Sequence, residues 1–350
     1  MTHQQKSVSD LTWLPLPPHY DPKQIENVWR VPYQERAQQA SEWSARHTIR
    51  SAAEDQLKIN LILVDLQNTF CLPEFELFVA GRSGMGAVED NQRLCEFIYR
   101  NLGVITRITL TMDTHRVAQI FHPIYLVDEN GSHPQPLTLV KYHDIESGRW
   151  RFNPSLADSL GVSPQEGQQQ LLHYTRELQA KEKYDLTIWP YHAMLGGIGH
   201  ALVSAVEEAV FFHTIARQSQ PTYILKGQLA STESYSAIGP EVLYGADGKQ
   251  LASKDLTMLK SVIANDLVVI AGQAKSHCVV WTVEDLLEQI KEQDPQLAGK
   301  VYLLDDCSSP VVVPDIVDYT EQADQAYHRF QEAGIHLVRS TDPISSWPGL

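Results

Sequence analysis

The run Leu267-Val268-Val269-Ile270-Ala271-Gly272-Gln273-Ala274-Lys275-Ser276-His277-Cys278-Val279-Val280 decides how the rest of the chain is read. Its apolar opening, from Leu267 to Ala271, has the length and β-branched content of a strand buried on both faces. Small residues then turn the chain, and an amphipathic helical pattern follows over 277–292. A buried strand that turns directly into a helix is half of a βαβ unit. The same geometry puts the Cys278 thiol at a helix N-terminus, where unpaired N–H groups and the helix dipole favour a thiolate. The competing reading of Cys278 is a small buried hydrophobe.

Comparable apolar runs lie at 59–65, 104–111, 221–226, 300–304 and 335–338, beside the one at 266–271. Helical stretches at 88–101, 198–218, 277–292 and 315–333 separate most of them. This alternation predicts an α/β fold, a doubly wound and mostly parallel six-stranded sheet with helices on both faces. Strands that run the same way deliver their final residues to one edge, where open α/β sheets bind ligands. Asp65 closes the first run and Lys226 the third, so an acid and a base are expected beside Cys278. Singly, Asp65 reads as a helix N-cap and Lys226 as a solvated cation. Jointly they suit an activated thiol, with a carboxylate to take its proton and an ammonium to favour the anion.

The second run ends in Thr111-Met112-Asp113-Thr114-His115. Residues two apart on an extended segment share a face, so the Asp113 carboxylate and the His115 imidazole point the same way. Both are metal ligands, and a third would complete an open site. His192, in Trp189-Pro190-Tyr191-His192 before the glycine-rich Gly196-Gly197-Ile198-Gly199, is that third ligand in this reading.

Residues 1–57 lack a strand pattern and read as an N-terminal extension, Pro-rich around Leu14-Pro15-Leu16-Pro17-Pro18 and helical from Pro32 to Gln56. A core domain follows over 58–340, interrupted by a polar, proline-punctuated insertion at 126–186 with a helical piece near 164–182, and 341–350 form a C-terminal tail. Long insertions after a strand's C-terminal end serve as lids or oligomerisation arms, and this one is expected to do the same. Lys+Arg 28 against Asp+Glu 43 gives a net charge of -15, which argues against nucleic acid or an anionic membrane as partner. Cys71, Cys95, Cys278 and Cys307 are widely spaced, which points to neither a zinc knuckle nor a disulfide framework and suits a reducing cytoplasm. Met1 to Asp10 is polar and no apolar stretch is long enough to span a bilayer, so a cytoplasmic protein is expected.

Five segments in order resemble the motifs of the nicotinamidase branch of the isochorismatase-like cysteine hydrolases. They are Asp65-Leu66-Gln67-Asn68-Thr69-Phe70, Asp113-Thr114-His115, Trp189-Pro190-Tyr191-His192, Lys226-Gly227 with Ser234-Tyr235-Ser236, and Gly272 to Val279. The likeness covers about 58–125 and 187–340. It implies a Rossmann-like three-layer sandwich and a hydrolase of linear amide C–N bonds. By this resemblance Cys278 attacks the amide carbonyl, Asp65 relays its proton and Lys226 supports the anionic states. The backbone N–H groups of Ala274 and Cys278 would form an oxyanion hole, beside a cis peptide at Gln273–Ala274. Phe70 and Trp189 match the aromatic residues that sandwich a pyridine ring. The metal at Asp113, His115 and His192 would be zinc, with iron or manganese as alternatives. His122 and His133 are offered as further ligands, against the reading that both are surface-loop histidines. Thr69 and Lys275-Ser276 depart from the family's pattern at the pocket's border.

The resemblance implies a homo-oligomeric nicotinamidase of NAD salvage that acts on a small-molecule amide. The alternatives are an amidohydrolase for another small amide, or a non-catalytic assembly member whose insertion and extension bind a partner.

Overall fold

The computed structural model describes residues 13–181 and 184–350, so the reading of Met1 to Asp10 lies outside the described residues. Six strands form the central sheet: β1 (Ile59–Val64), β2 (Ile105–Asp113), β3 (Thr222–Lys226), β4 (Leu267–Gly272), β5 (Val301–Leu304) and β6 (His336–Val338). Their order is β6-β5-β4-β1-β2-β3. β1 runs parallel to both β2 and β4, β4 to β5, and β5 to β6. Every residue of β1 and β4 is buried, as expected of strands covered on both faces whose residues are apolar but for Asn60 of β1 and Gly272 of β4.

From β1 the chain steps outward to β2 and β3, then returns to the other side of β1 to lay down β4, β5 and β6. The strand order therefore reverses between β1 and β4. That reversal is where a doubly wound sheet opens a crevice beyond its carboxyl ends. Asp65 follows β1, and the Cys278 turn follows β4.

Among the described residues the helices of three or more turns are α1 (Tyr33–Arg46), α2 (Gly86–Arg100), α3 (Pro164–Lys181, within the insertion), α4 (Ser204–Arg217), α5 (Val280–Gln293) and α6 (Thr320–Glu332). α2 shows why such segments are helical and where they face. Ala87, Leu94, Cys95 and Ile98 recur at helical spacing and are all buried. Among the described residues, no helix is long and apolar enough to cross a membrane.

The chain divides into two compact units. One holds the chain up to Met112, Leu202–Ile224 and Leu256–Leu350, and the other holds Asp113–Ala201 and Leu225–Asp255. In the first, the N-terminal segment lies on the core. α1 packs on α4, and Arg36 Nε sits 2.7 Å from Glu208 Oε1. Arg217 is fully buried; it donates to the carbonyl oxygen of Ile105 at 3.2 Å and also to the Arg50 carbonyl and the Asp55 carboxylate. A buried guanidinium is tolerable only when so paired.

The second unit has its own core. Leu126, Val140, Phe152, Leu171, Leu178 and Leu186 from the insertion pack with Phe121, Ile188 and Val242 from its flanks. Two small antiparallel pairings tie the segment down: Leu126–Val127 with Arg151–Phe152, and Leu139–Val140 with Leu186–Thr187.

Candidate active site

In the first unit, Val64 of β1 lies beside Gly272 of β4, so the residues that follow each leave the sheet side by side. Gly272 has φ +132°, and a Cβ there would fall 2.1 Å from the Val64 carbonyl oxygen, so only glycine lets the strands approach this closely. Asp65 is fully buried and holds φ +49°, a left-handed backbone that few non-glycine residues adopt. Thr111, opposite Val64 on β2, fixes this turn. Its hydroxyl donates to Asp65 Oδ1 at 2.6 Å, and its carbonyl oxygen accepts the Asp65 N–H at 3.2 Å. Thr111 did not stand out in the sequence; the sign of its role is its register opposite the last residue of β1.

After Gly272 the Gln273–Ala274 peptide bond is cis, as the resemblance implied. The Gln273 side chain is buried, donating to Asp90 Oδ2 at 2.8 Å and accepting the Ser309 N–H at 3.3 Å. One turn of π-helix over Lys275–Val279 then leads into α5, with Ala274 O accepting the N–H groups of His277 (3.0 Å) and Val279 (3.2 Å). Cys278 lies in this turn and is 6% exposed.

The other cysteines are poor rivals for it. Burial pushes the Cys71 thiol up to about 12, with an opposing hydrogen bond from Asn91. Burial likewise raises Cys95 and Cys307. All three are held as neutral thiols, the form that does not attack. Phe70 is buried in the short helix Asn68–Cys71 that follows Asp65.

The second unit holds the histidines. The candidate ligand atoms of His115, His122 and His192 all lie within 4.8 Å of one another, and all three residues are buried. Each ring turns its Nδ1 to a backbone carbonyl oxygen: His115 to His192 O (3.2 Å), His122 to Val117 O (3.1 Å) and His192 to Pro190 O (2.7 Å). For His122 and His192 such anchoring leaves Nε2 as the lone-pair nitrogen in the tautomer that binds a cation. His122 Nε2 is buried with no hydrogen-bond partner among the described residues, a costly arrangement that a bound cation would relieve. Burial lowers His122 to about 4 and His192 well below the ordinary histidine range, so both stay neutral.

Asp113 borders this group. Its Oδ1 is 2.8 Å from His115 Nε2 and 3.1 Å from Lys226 Nζ. Burial alone would raise Asp113, but His115 and Lys226 outweigh it and hold the carboxyl below its usual range. Lys226, itself buried, also donates to Ser234 O at 3.0 Å. His122 thus joins the cluster, whereas His133 is exposed, hydrogen-bonded to Leu126 O at 2.7 Å, and stands apart from it. Trp189 is half-buried, and its indole N–H reaches Glu233 and Tyr235.

No family model matches the chain, and no curated protein does. Among solved structures it is similar to a nicotinamidase pyrazinamidase of Acinetobacter baumanii, at 20% identity and TM-score 0.47 over 83% of this chain and 99% of that one. It is also similar to the yeast nicotinamidase Pnc1p, at 19% identity and TM-score 0.49 over 80% of this chain and 99% of that one. A third is the pyrazinamidase of Pyrococcus horikoshii in complex with zinc, at 17% identity and TM-score 0.42 over 80% and 98%. These neighbours are of the isochorismatase-like superfamily. At such identities and TM-scores, what this chain does must be argued from its own side chains.

Proposed function

We propose that the chain is a metal-containing cysteine amidohydrolase, and that its substrate is nicotinamide, which it converts to nicotinate and ammonia. The observation that carries this reading is the buried histidine cluster, with every Nδ1 anchored and His122 Nε2 unpartnered, in a chain that also orders Asp65 and Cys278 at its switch point. Cys278 Sγ adds to the amide carbonyl carbon as its proton passes to Asp65. The tetrahedral intermediate collapses, the C–N bond breaks, and the nitrogen takes that proton and leaves as ammonia. Water then adds to the thioester carbonyl carbon as Asp65 accepts its proton, the C–S bond breaks to release nicotinate, and Asp65 returns the proton to the departing Cys278 Sγ. Thr111, donating to Asp65, holds the carboxylate in place for both transfers. Lys226 favours the anionic forms, and the N–H groups of Ala274 and Cys278 serve the developing oxyanion.

His115, His122 and His192, with Asp113 beside them, would hold the metal. Three imidazoles and a carboxylate suit zinc, and iron or manganese as well. When bound, the ion supplies a Lewis-acidic position for the pyridine nitrogen of the substrate. A second reading, hydrolysis of a different small amide, draws on Thr69. The resemblance implies an acid at this position, whereas here the hydroxyl donates to Glu76 Oε2 at 3.0 Å.

The test is ammonia release from a panel of small amides, with and without chelator, by the unaltered chain and by Cys278→Ala. Nicotinamide should be the preferred substrate, and Cys278→Ala should release none while keeping its circular dichroism. A Cys278→Ala chain that retains substantial turnover sinks the thioester mechanism. Preference for another amide replaces the substrate but leaves the chemistry standing.

A further inference from the structure

Between α3 and the segment that follows β3, the second unit forms a cavity of about 280 Å³ that the mechanism does not use. Gln170 of α3 spans its two sides: Oε1 accepts the Ala246 N–H at 2.9 Å, and Nε2 lies 3.5 Å from Ser231 O. His173, one turn further along α3, adds a tie to Tyr244 O at 3.0 Å. These polar bonds fix the walls, so the space between them is part of the fold rather than a gap between loose loops.

Tyr125 lines this cavity and is only 2% exposed. Its ring is set edge-on against Phe152 at 5.2 Å, and its backbone N–H donates to His122 O at 3.0 Å. The hydroxyl makes no hydrogen bond among the described residues, and burial raises the phenol with nothing to offset it. A buried hydroxyl without a partner is costly, and a polar atom placed in the cavity relieves that cost.

The remaining lining says which molecule would supply that atom. Leu160, Val162 and Leu251 give the cavity an apolar wall, while Glu166 and Asp247 stand at its exposed rim. Bonds from Ser163 hold the Glu166 carboxyl below its usual range and those of Lys249 hold Asp247 below its own, so both are anionic. Lys249 pairs with Asp247 Oδ2 at 2.6 Å but stands outside the lining, which holds no basic residue among the described residues. An anion is therefore disfavoured, and a cation with an apolar body is favoured.

We propose that this cavity is a second binding site, for a small hydroxylated monoamine whose ammonium meets Glu166 and Asp247 and whose hydroxyl pairs with Tyr125. None of its residues belongs to the candidate active site.

The experiment is isothermal titration calorimetry of the full chain with three probes: tyramine, phenethylamine, which lacks the hydroxyl, and 4-hydroxyphenylacetate, which replaces the ammonium by a carboxylate. Tyramine should bind one to one, phenethylamine about tenfold more weakly, as the loss of one buried hydrogen bond predicts, and 4-hydroxyphenylacetate not measurably. Tyr125→Phe should bind tyramine and phenethylamine alike. Glu166→Gln combined with Asp247→Asn should weaken tyramine severalfold and keep its preference over phenethylamine. Ala246→Phe, at an exposed position of the lining, should block the cavity and abolish binding, and it decides the matter if Tyr125→Phe does not fold. No binding of tyramine, equal binding of all three probes, a Tyr125→Phe chain that keeps the preference, or unchanged tyramine affinity in the double variant or in Ala246→Phe would each overturn the proposal.

Discussion

Gly227 has φ +79°, and a Cβ there would fall 2.6 Å from Asp113 Oδ1 and 2.8 Å from His115 Nε2. Glycine is needed twice over, for the left-handed backbone and for the room beside two groups of the candidate metal centre. Gly227→Ala should therefore strip the protein of metal, measured by elemental analysis after dialysis, with only a modest loss of stability. Retention of metal at the level of the unaltered chain would mean that these two groups tolerate displacement and do not define the site. Residue-scale reading of the sequence reaches the placement of these groups through strand ends. Asp113 and His115 share a strand end, and Asp65 and Cys278 follow strands that pair directly. It could not separate His122 from His133, because both sit in irregular chain and nothing in their spacing records burial. The difference arises in tertiary structure, where the His122 ring lies 5.8 Å from that of His115 and 5.7 Å from that of His192, between centroids, and His133 is left outside.

The turn that carries Cys278 shows how an element is held by residues that do no chemistry. Lys275, which departs from the family's pattern, is buried within it, and its ammonium lies 2.9 Å from Asp305 Oδ1, 2.8 Å from Asp324 Oδ1 and 4.3 Å from the Tyr327 ring centroid. It ties the π-turn to the end of β5 and to α6. Both aspartates are more than a third exposed, so screening and re-solvation limit the loss when the cation goes. Lys275→Met should destabilise by about 1–2 kcal/mol in a urea titration, and it should lower kcat more than KM because the turn presents the nucleophile. Full activity in Lys275→Met would show that the turn holds its shape without this anchor. The six strands of the sheet and α2, α4, α5 and α6 lie close to their sequence patterns, since each carries a continuous apolar period. The π-turn left no such mark. The pattern at 277–292 is helical throughout, and the register change over Lys275–Val279 shows only in which carbonyl accepts, Ala274 O for the Val279 N–H.

At the scale of the molecule, the insertion has a role that its composition hid. Segment 126–186 is polar on average, yet its apolar residues meet those of the flanks in the core of the second unit, so the chain that carries His122 and Trp189 is packed against the insertion. Polar composition predicts exposure only when the few apolar positions have no common partner, and here Phe121, Ile188 and Val242 supply one. The pH dependence of stability is a property of the same scale. Burial lowers His213, on α4, to about 4, with a smaller contribution from Arg217 and against its hydrogen bond to Ile105 O. The unfolded chain takes up a proton on this histidine near its ordinary value of about 6.5, whereas the folded chain refuses it until about 4. Between those values the unfolded state binds more protons, so the contribution of His213 to stability is intact above pH 6.5 and is lost as pH falls toward 4. Asp90, Glu208 and Glu233, raised by burial, act in the opposite sense, so the test must isolate the one residue. In His213→Gln, which keeps a donor for Ile105 O, the fall in unfolding free energy across that window should shrink by on the order of 3 kcal/mol. Urea titrations of the unaltered chain and of His213→Gln at several pH values would measure it. Two curves that stay parallel down to pH 4 would mean that His213 titrates normally and is not shielded within the first unit.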